Sequence, residues 1–73
     1  MIKVIYRMEI ISDKGVVEVR RYFRNKRLAE RAAKSYEKAV KRHKDIFGKQ
    51  KYIDVRKMSK QDMFWVKESE VEE

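Results

Sequence analysis

Ile2–Arg24, IKVIYRMEIISDKGVVEVRRYFR, decides how the rest of the chain is arranged. From Ile2 to Ile10 every even position is apolar (Ile2, Val4, Tyr6, Met8, Ile10), while Lys3, Arg7 and Glu9 share the odd positions with Ile5. A period of two is the pattern of a strand with one buried face. Ser12, Asp13, Lys14 and Gly15 then supply a turn whose glycine accepts a positive φ, and alternation resumes from Val16 to Arg24. The stretch reads as a β-hairpin. On its second strand Val17, Val19, Arg21 and Phe23 share the face expected to meet the core, and Val16, Glu18, Arg20, Tyr22 and Arg24 share the other.

Downstream, Asn25 is placed to cap a helix, and no glycine or proline interrupts the chain until Gly48. The predicted helix runs from Lys26 to Phe47. At about 100° per residue, Leu28, Ala29, Ala32, Ala33, Tyr36, Ala39, Val40, His43, Ile46 and Phe47 fall in one arc, which should pack on the hairpin. Tyr52 to Met58 alternates again and predicts a third strand. Ser59 to Asp62 reads as a turn, and Met63 to Val66 as an optional fourth strand. A right-handed crossover from strand two to a parallel strand three leaves a slot between them for strand one. The expected fold is α+β: an antiparallel three- or four-stranded sheet with one long helix packed on one face, ββαβ(β), strand order 2-1-3(-4).

The chain has 73 residues, too few for two cores, and contains no cysteine and no proline. A single small globular domain over residues 1–67 is expected, followed by an acidic, solvated tail at 68–73 holding Glu68, Glu70, Glu72 and Glu73. Without cysteine there is no disulfide and no thiolate-ligated metal, and no apolar run approaches a membrane span; the chain reads as cytoplasmic. The lone His43 falls on the apolar arc and has no second ligand near it, so it reads as a core histidine. Ser12, Ser35, Ser59 and Ser69 occur without a credible catalytic base beside them, and two glycines build no phosphate loop. No catalytic site, metal site or cofactor is expected, and the protein reads as non-enzymatic.

The formal charge is +8, and its excess is local: residues 1–19 are balanced, whereas residues 20–51 carry thirteen basic and three acidic side chains. Arg27, Arg31, Lys34, Lys38 and Lys41 recur at spacings of four and three, with Arg42 beside them, forming one stripe opposite the apolar arc. At about 1.5 Å per residue the stripe is roughly 21 Å long. Glu30 with Lys34 and Glu37 with Lys41 are helix-supporting pairs, so part of this charge has a structural use. The outer sheet face offers a second set, Arg20, Tyr22, Arg24 and Arg56, in which basic and aromatic side chains alternate as they do where single-stranded bases stack on an open sheet.

Gly15, followed by Val19-Arg20-Arg21-Tyr22-Phe23-Arg24-Asn25-Lys26-Arg27-Leu28-Ala29-Glu30, resembles the arm-binding domains of phage-type integrases over about a third of the chain. The resemblance implies contact with DNA. In that family three strands precede the helix, whereas two precede it here.

Together these features predict a small basic protein that binds nucleic acid, DNA or RNA, through phosphate contacts. The alternative is a protein-interaction or inhibitor module that covers an acidic protein partner, with Ile5, Met58 and Trp65 as exposed interface residues and a homodimer through an open strand edge as a further option. Membrane binding is not expected, because the sheet needs the apolar stripe of the helix.

Overall fold

The computed structural model describes residues 3–42 and 51–73, and the hairpin is its centre. β1 (Tyr6–Ile11) pairs antiparallel with β2 (Val17–Phe23), with Met8 opposite Arg21 and Ile10 opposite Val19. The turn between them is held by Ser12: its N–H donates to the Val16 carbonyl at 2.8 Å, its carbonyl accepts from Gly15 at 3.0 Å, and its hydroxyl accepts from the N–H groups of Lys14 and Val16. Gly15 has φ +82°, a conformation that a side chain would strain. A bulge between Ile10 and Ile11 takes up the extra residue on β2.

Asn25 caps α1 (Lys26–Arg42), its Oδ1 accepting from the Leu28 N–H at 2.9 Å. Leu28, Ala29, Ala32, Ala33 and Tyr36 pack on one sheet face, where Met8, Phe23 and Ala29 form a buried cluster flanked by Tyr6, Val19, Ile53 and Val55. Met8 and Ala29 have no solvent exposure. The alanines let the helix backbone approach the sheet closely, so that one fully buried methionine fills the middle. His43, Ile46, Phe47 and Gly48, expected to complete and end the helix, lie outside the described residues.

β3 (Tyr52–Lys57) pairs antiparallel with the other edge of β1, with Met8 opposite Val55. Beyond this point the structure departs from expectation. Met63–Val66 is not a strand. Ser59 starts a helical turn, α2 (Lys60–Met63), by accepting the Asp62 N–H at 3.1 Å on its hydroxyl. Ser59 and Asp62 are an S-x-x-D helix-start pattern, which outweighs the strand propensity of the residues that follow. The chain then crosses the sheet face opposite α1, passes through a 3₁₀ turn at Glu68–Glu70, and ends in β4 (Val71–Glu72), parallel to β2 with Tyr22 opposite Val71.

The sheet is therefore mixed rather than antiparallel, and its order is 3-1-2-4 rather than 2-1-3(-4). β1 does lie between β2 and β3, but the fourth strand joins the edge of β2 instead of β3. Residues 68–73 are correspondingly not a solvated tail: Val71 is buried and the Arg24 N–H donates to the Glu72 carbonyl at 3.1 Å.

This crossing builds a second core on the face away from α1. Ile5, Met58 and Val71 are buried there, with Tyr22, Met63 and Val66 packed around them. Ile5 and Met58, expected as exposed interface residues, are covered by the segment that follows β3.

Candidate nucleic-acid interface

The cations anticipated from the sequence fall on two layers, and their surroundings differ. On the sheet layer the arginines are engaged. Arg20 Nε donates to Glu9 Oε2 at 2.8 Å, and Arg7 Nε lies 3.2 Å from the other oxygen of the same carboxylate, which is buried. The bond to Glu9 raises the pKa of Arg20 above the ordinary arginine value. Arg56 Nε sits 3.0 Å from Asp54, and Arg24 lies between Glu73 at 3.2 Å and Glu68 at 3.8 Å. The Nε atoms of Arg7 and Arg24 are buried without a hydrogen bond, close to their carboxylates but off the N–H line.

Tyr22, expected on an open platform, is half-buried against the second core. The face that was to stack bases is thus closed at one end by the C-terminal crossing and neutralised along its middle by Glu9 and Asp54. Glu9 lies opposite Arg20 across the β1–β2 ladder, whereas Arg7 with Glu9 and Arg56 with Asp54 are neighbours two apart on the same face of their own strands. The cross-strand pair of Arg20 with Glu9 is ordinary sheet stabilisation.

The helix layer is different. Arg27, Arg31, Lys34 and Lys38 are all exposed, and none of them makes an ion pair among the described residues. They span about 16 Å at roughly 1.5 Å per residue. Lys41 and Arg42 close the last described turn of α1, and their side chains lie outside the described residues. Lys26, one turn before Glu30, approaches it only to 3.8 Å. No acidic residue occupies the first turn of α1, although the helix dipole favours one there, and Lys26 and Arg27 stand at that end instead.

Arg21 is the residue whose role the sequence concealed. It projects on the α1 side of β2, its guanidinium 5.1 Å from the Phe23 ring centroid and 5.9 Å from that of Tyr36, and it grips Glu72 in a two-pronged bond with Nε–Oε2 at 2.7 Å. That bond holds the Glu72 carboxyl below its usual range and raises Arg21 above the ordinary arginine value. An arginine on the core side of a strand calls for a carboxylate partner, and Glu72 supplies it.

Among the described residues there is no group of three metal-ligating side chains and no helix long and apolar enough to cross a membrane. No protein-family model, curated protein or solved structure matches the chain. The resemblance of residues 15–30 to integrase arm-binding domains therefore rests on those residues alone.

Proposed function

We propose that this is a small non-enzymatic protein that binds nucleic acid by its phosphate backbone, with α1 as the contact surface. The observation that carries this reading is the contrast between layers. The sheet arginines are matched by carboxylates, while Arg27, Arg31, Lys34 and Lys38 form an exposed row that makes no ion pair among the described residues, with Glu30 and Glu37 along its flank. A helix face that served only solubility would mix its signs. Placing Lys26 and Arg27 at the positive end of the helix dipole costs stability, about 0.3–1 kcal/mol per charge, which an anionic ligand would offset.

Lys41 and Arg42 continue the same spacing in the sequence. Arg20, Tyr22, Arg24 and Arg56 are secondary at best, since their charge or surface is already committed within the fold. If five stripe cations each meet a phosphate, log K against log salt should have a slope of about −4.5 on B-DNA. Fluorescence anisotropy of labelled duplex and single-stranded oligonucleotides, on nuclease-treated protein, tests this directly. Arg27→Glu combined with Lys34→Glu should abolish binding with the fold intact; unchanged affinity in that variant would remove the stripe from consideration.

One observation favours a second reading, a protein-interaction module. Tyr52 and Val17 both lie opposite Ile11 in the sheet, and Tyr52, Val17 and the neighbouring Val16 are exposed, giving an apolar edge near the hairpin turn. Capture of one stoichiometric protein that survives nuclease treatment, with no oligonucleotide bound, would replace the first reading by this one.

A further inference from the structure

The sheet order 3-1-2-4 leaves β3 with a neighbour on one side only, and no described segment pairs with its outer edge. That edge is regular. Its register with β1 is unbroken from Tyr52 to Lys57, with no bulge or proline to turn it away from another strand. Which backbone groups it offers follows from one hydrogen bond: the Met58 N–H donates to the Ile5 carbonyl at 2.9 Å, so the peptide groups of Met58 point at β1. Strand alternation turns those of Arg56 and Asp54 the same way, and those of Ile53, Val55 and Lys57 outward.

An antiparallel partner must set its own outward residues opposite Ile53, Val55 and Lys57. For a second copy of β3 the parity leaves few registers. Setting Ile53 opposite Val55 puts Asp54 against Asp54, and setting Val55 opposite Lys57 puts Arg56 against Arg56. The register centred on Val55 instead sets Asp54 of each copy opposite Arg56 of the other, in the closely spaced positions between hydrogen-bonded pairs. It also engages all the outward residues, Val55 with Val55 and Ile53 with Lys57. Tyr52, 60% exposed, comes opposite Met58 of the second copy.

The charges of β3 have no opposite partner across the ladder they already belong to. Asp54 lies opposite Glu9 and Arg56 opposite Arg7, like facing like. Within the protomer Arg56 reaches only along its own strand, 3.0 Å to Asp54. A second copy in the centred register adds the opposite charge on the free side of each.

We infer that the outer edge of β3 binds a second copy of this chain, antiparallel about a two-fold axis at Val55, joining two four-stranded sheets into one. The inference is independent of the nucleic-acid reading, since it uses none of the cations of α1.

Sedimentation equilibrium of nuclease-treated full-length protein, from micromolar to millimolar, should show a reversible dimer. Amide hydrogen exchange by NMR at the two ends of that range identifies the edge. The Ile53, Val55 and Lys57 amides should gain protection as the concentration rises, while the Asp54 and Arg56 amides, bonded to β1, stay protected throughout. Arg56→Asp turns both attracting pairs into repelling ones and should raise the dimer dissociation constant about tenfold or more; adding Asp54→Arg should restore it. Circular dichroism melts check that both variants fold, and exchange on the unaltered protein decides the matter even where a variant melts early. A protein that stays monomeric at millimolar concentration would overturn the inference. So would a dimer in which the Ile53, Val55 and Lys57 amides exchange as freely as in the monomer. Protection of those amides that does not change with concentration would mean that the chain covers its own edge, and would overturn it too.

Discussion

Replacing Val71 by alanine tests whether the acidic end of the chain is a strand of the sheet. Val71 is 8% exposed and packs with Ile5 and Met58, so the substitution removes two buried methyl groups from the second core. At about 0.8 kcal/mol per group this is about 1.6 kcal/mol, or roughly tenfold in the docking equilibrium of β4. The short strand has little in reserve. Its order is held by Val71, a two-residue ladder, the half-exposed pair of Arg21 with Glu72 and the contacts of Arg24 with Glu68 and Glu73. The loss should therefore appear as local opening rather than as global unfolding. The Arg24 N–H, bonded to the Glu72 carbonyl, reports that opening directly. Native-state hydrogen exchange followed by NMR should show Arg24 protected in the parent protein and about tenfold less protected in Val71→Ala, while the amides that join β1 to β3 keep their protection. An Arg24 amide that already exchanges freely in the parent protein would refute the docked strand.

Arg20→Ala takes the 2.8 Å hydrogen bond from the buried Glu9 carboxylate and leaves only Arg7 beside it, so it should cost about 1–2 kcal/mol, or roughly 4–16 °C in Tm, by thermal melts in circular dichroism. Asn25→Ala removes the cap of α1 and should cost about 1 kcal/mol, visible in the same melts, whereas Asn25→Asp should not. Acid should release β4: Glu72 has a lower pKa folded than unfolded, so its contribution is complete above the ordinary value of 4.5 and is lost as the pH falls through the lower folded value. Arg24 exchange measured against pH, corrected for intrinsic rates, should show this loss, and Glu72→Gln should flatten the profile.

Local periodicity was sufficient for everything that local forces decide. The alternation over Tyr6–Ile11 and Val17–Phe23, the Asn25 cap and the apolar arc of α1 are each fixed by residues within a few positions of one another. The mixed sheet was hidden because its cause is not local. Val71 and Glu72 are two residues of strand, too short to show a period, and they become a strand only because Arg21, Arg24 and the uncovered Ile5 await them on elements formed far earlier in the chain. The same applies to the candidate surface. Spacing along one helix was enough to set out the row Arg27, Arg31, Lys34 and Lys38, but it could not show that Arg20 was already matched by Glu9, since that matching depends on strand register, whereas Asp54 and Arg56 meet through strand alternation alone. Phe64 and Trp65 read as strand residues because their propensity is high, and only the inward turn of Met63 and Val66 reveals that they point out.

The second core joins Ile5, near the start of the described chain, to Val71, near its end, so it cannot assemble before the segment from Met58 onward has emerged from the ribosome. Until then the hairpin and α1 can form around Met8, but Ile5 and Tyr22 stay wet and the β2 edge at Tyr22 and Phe23 stays unpaired, open to the strands of other nascent copies. A pause in translation between Met58 and Val71 would lengthen the interval in which that edge is open.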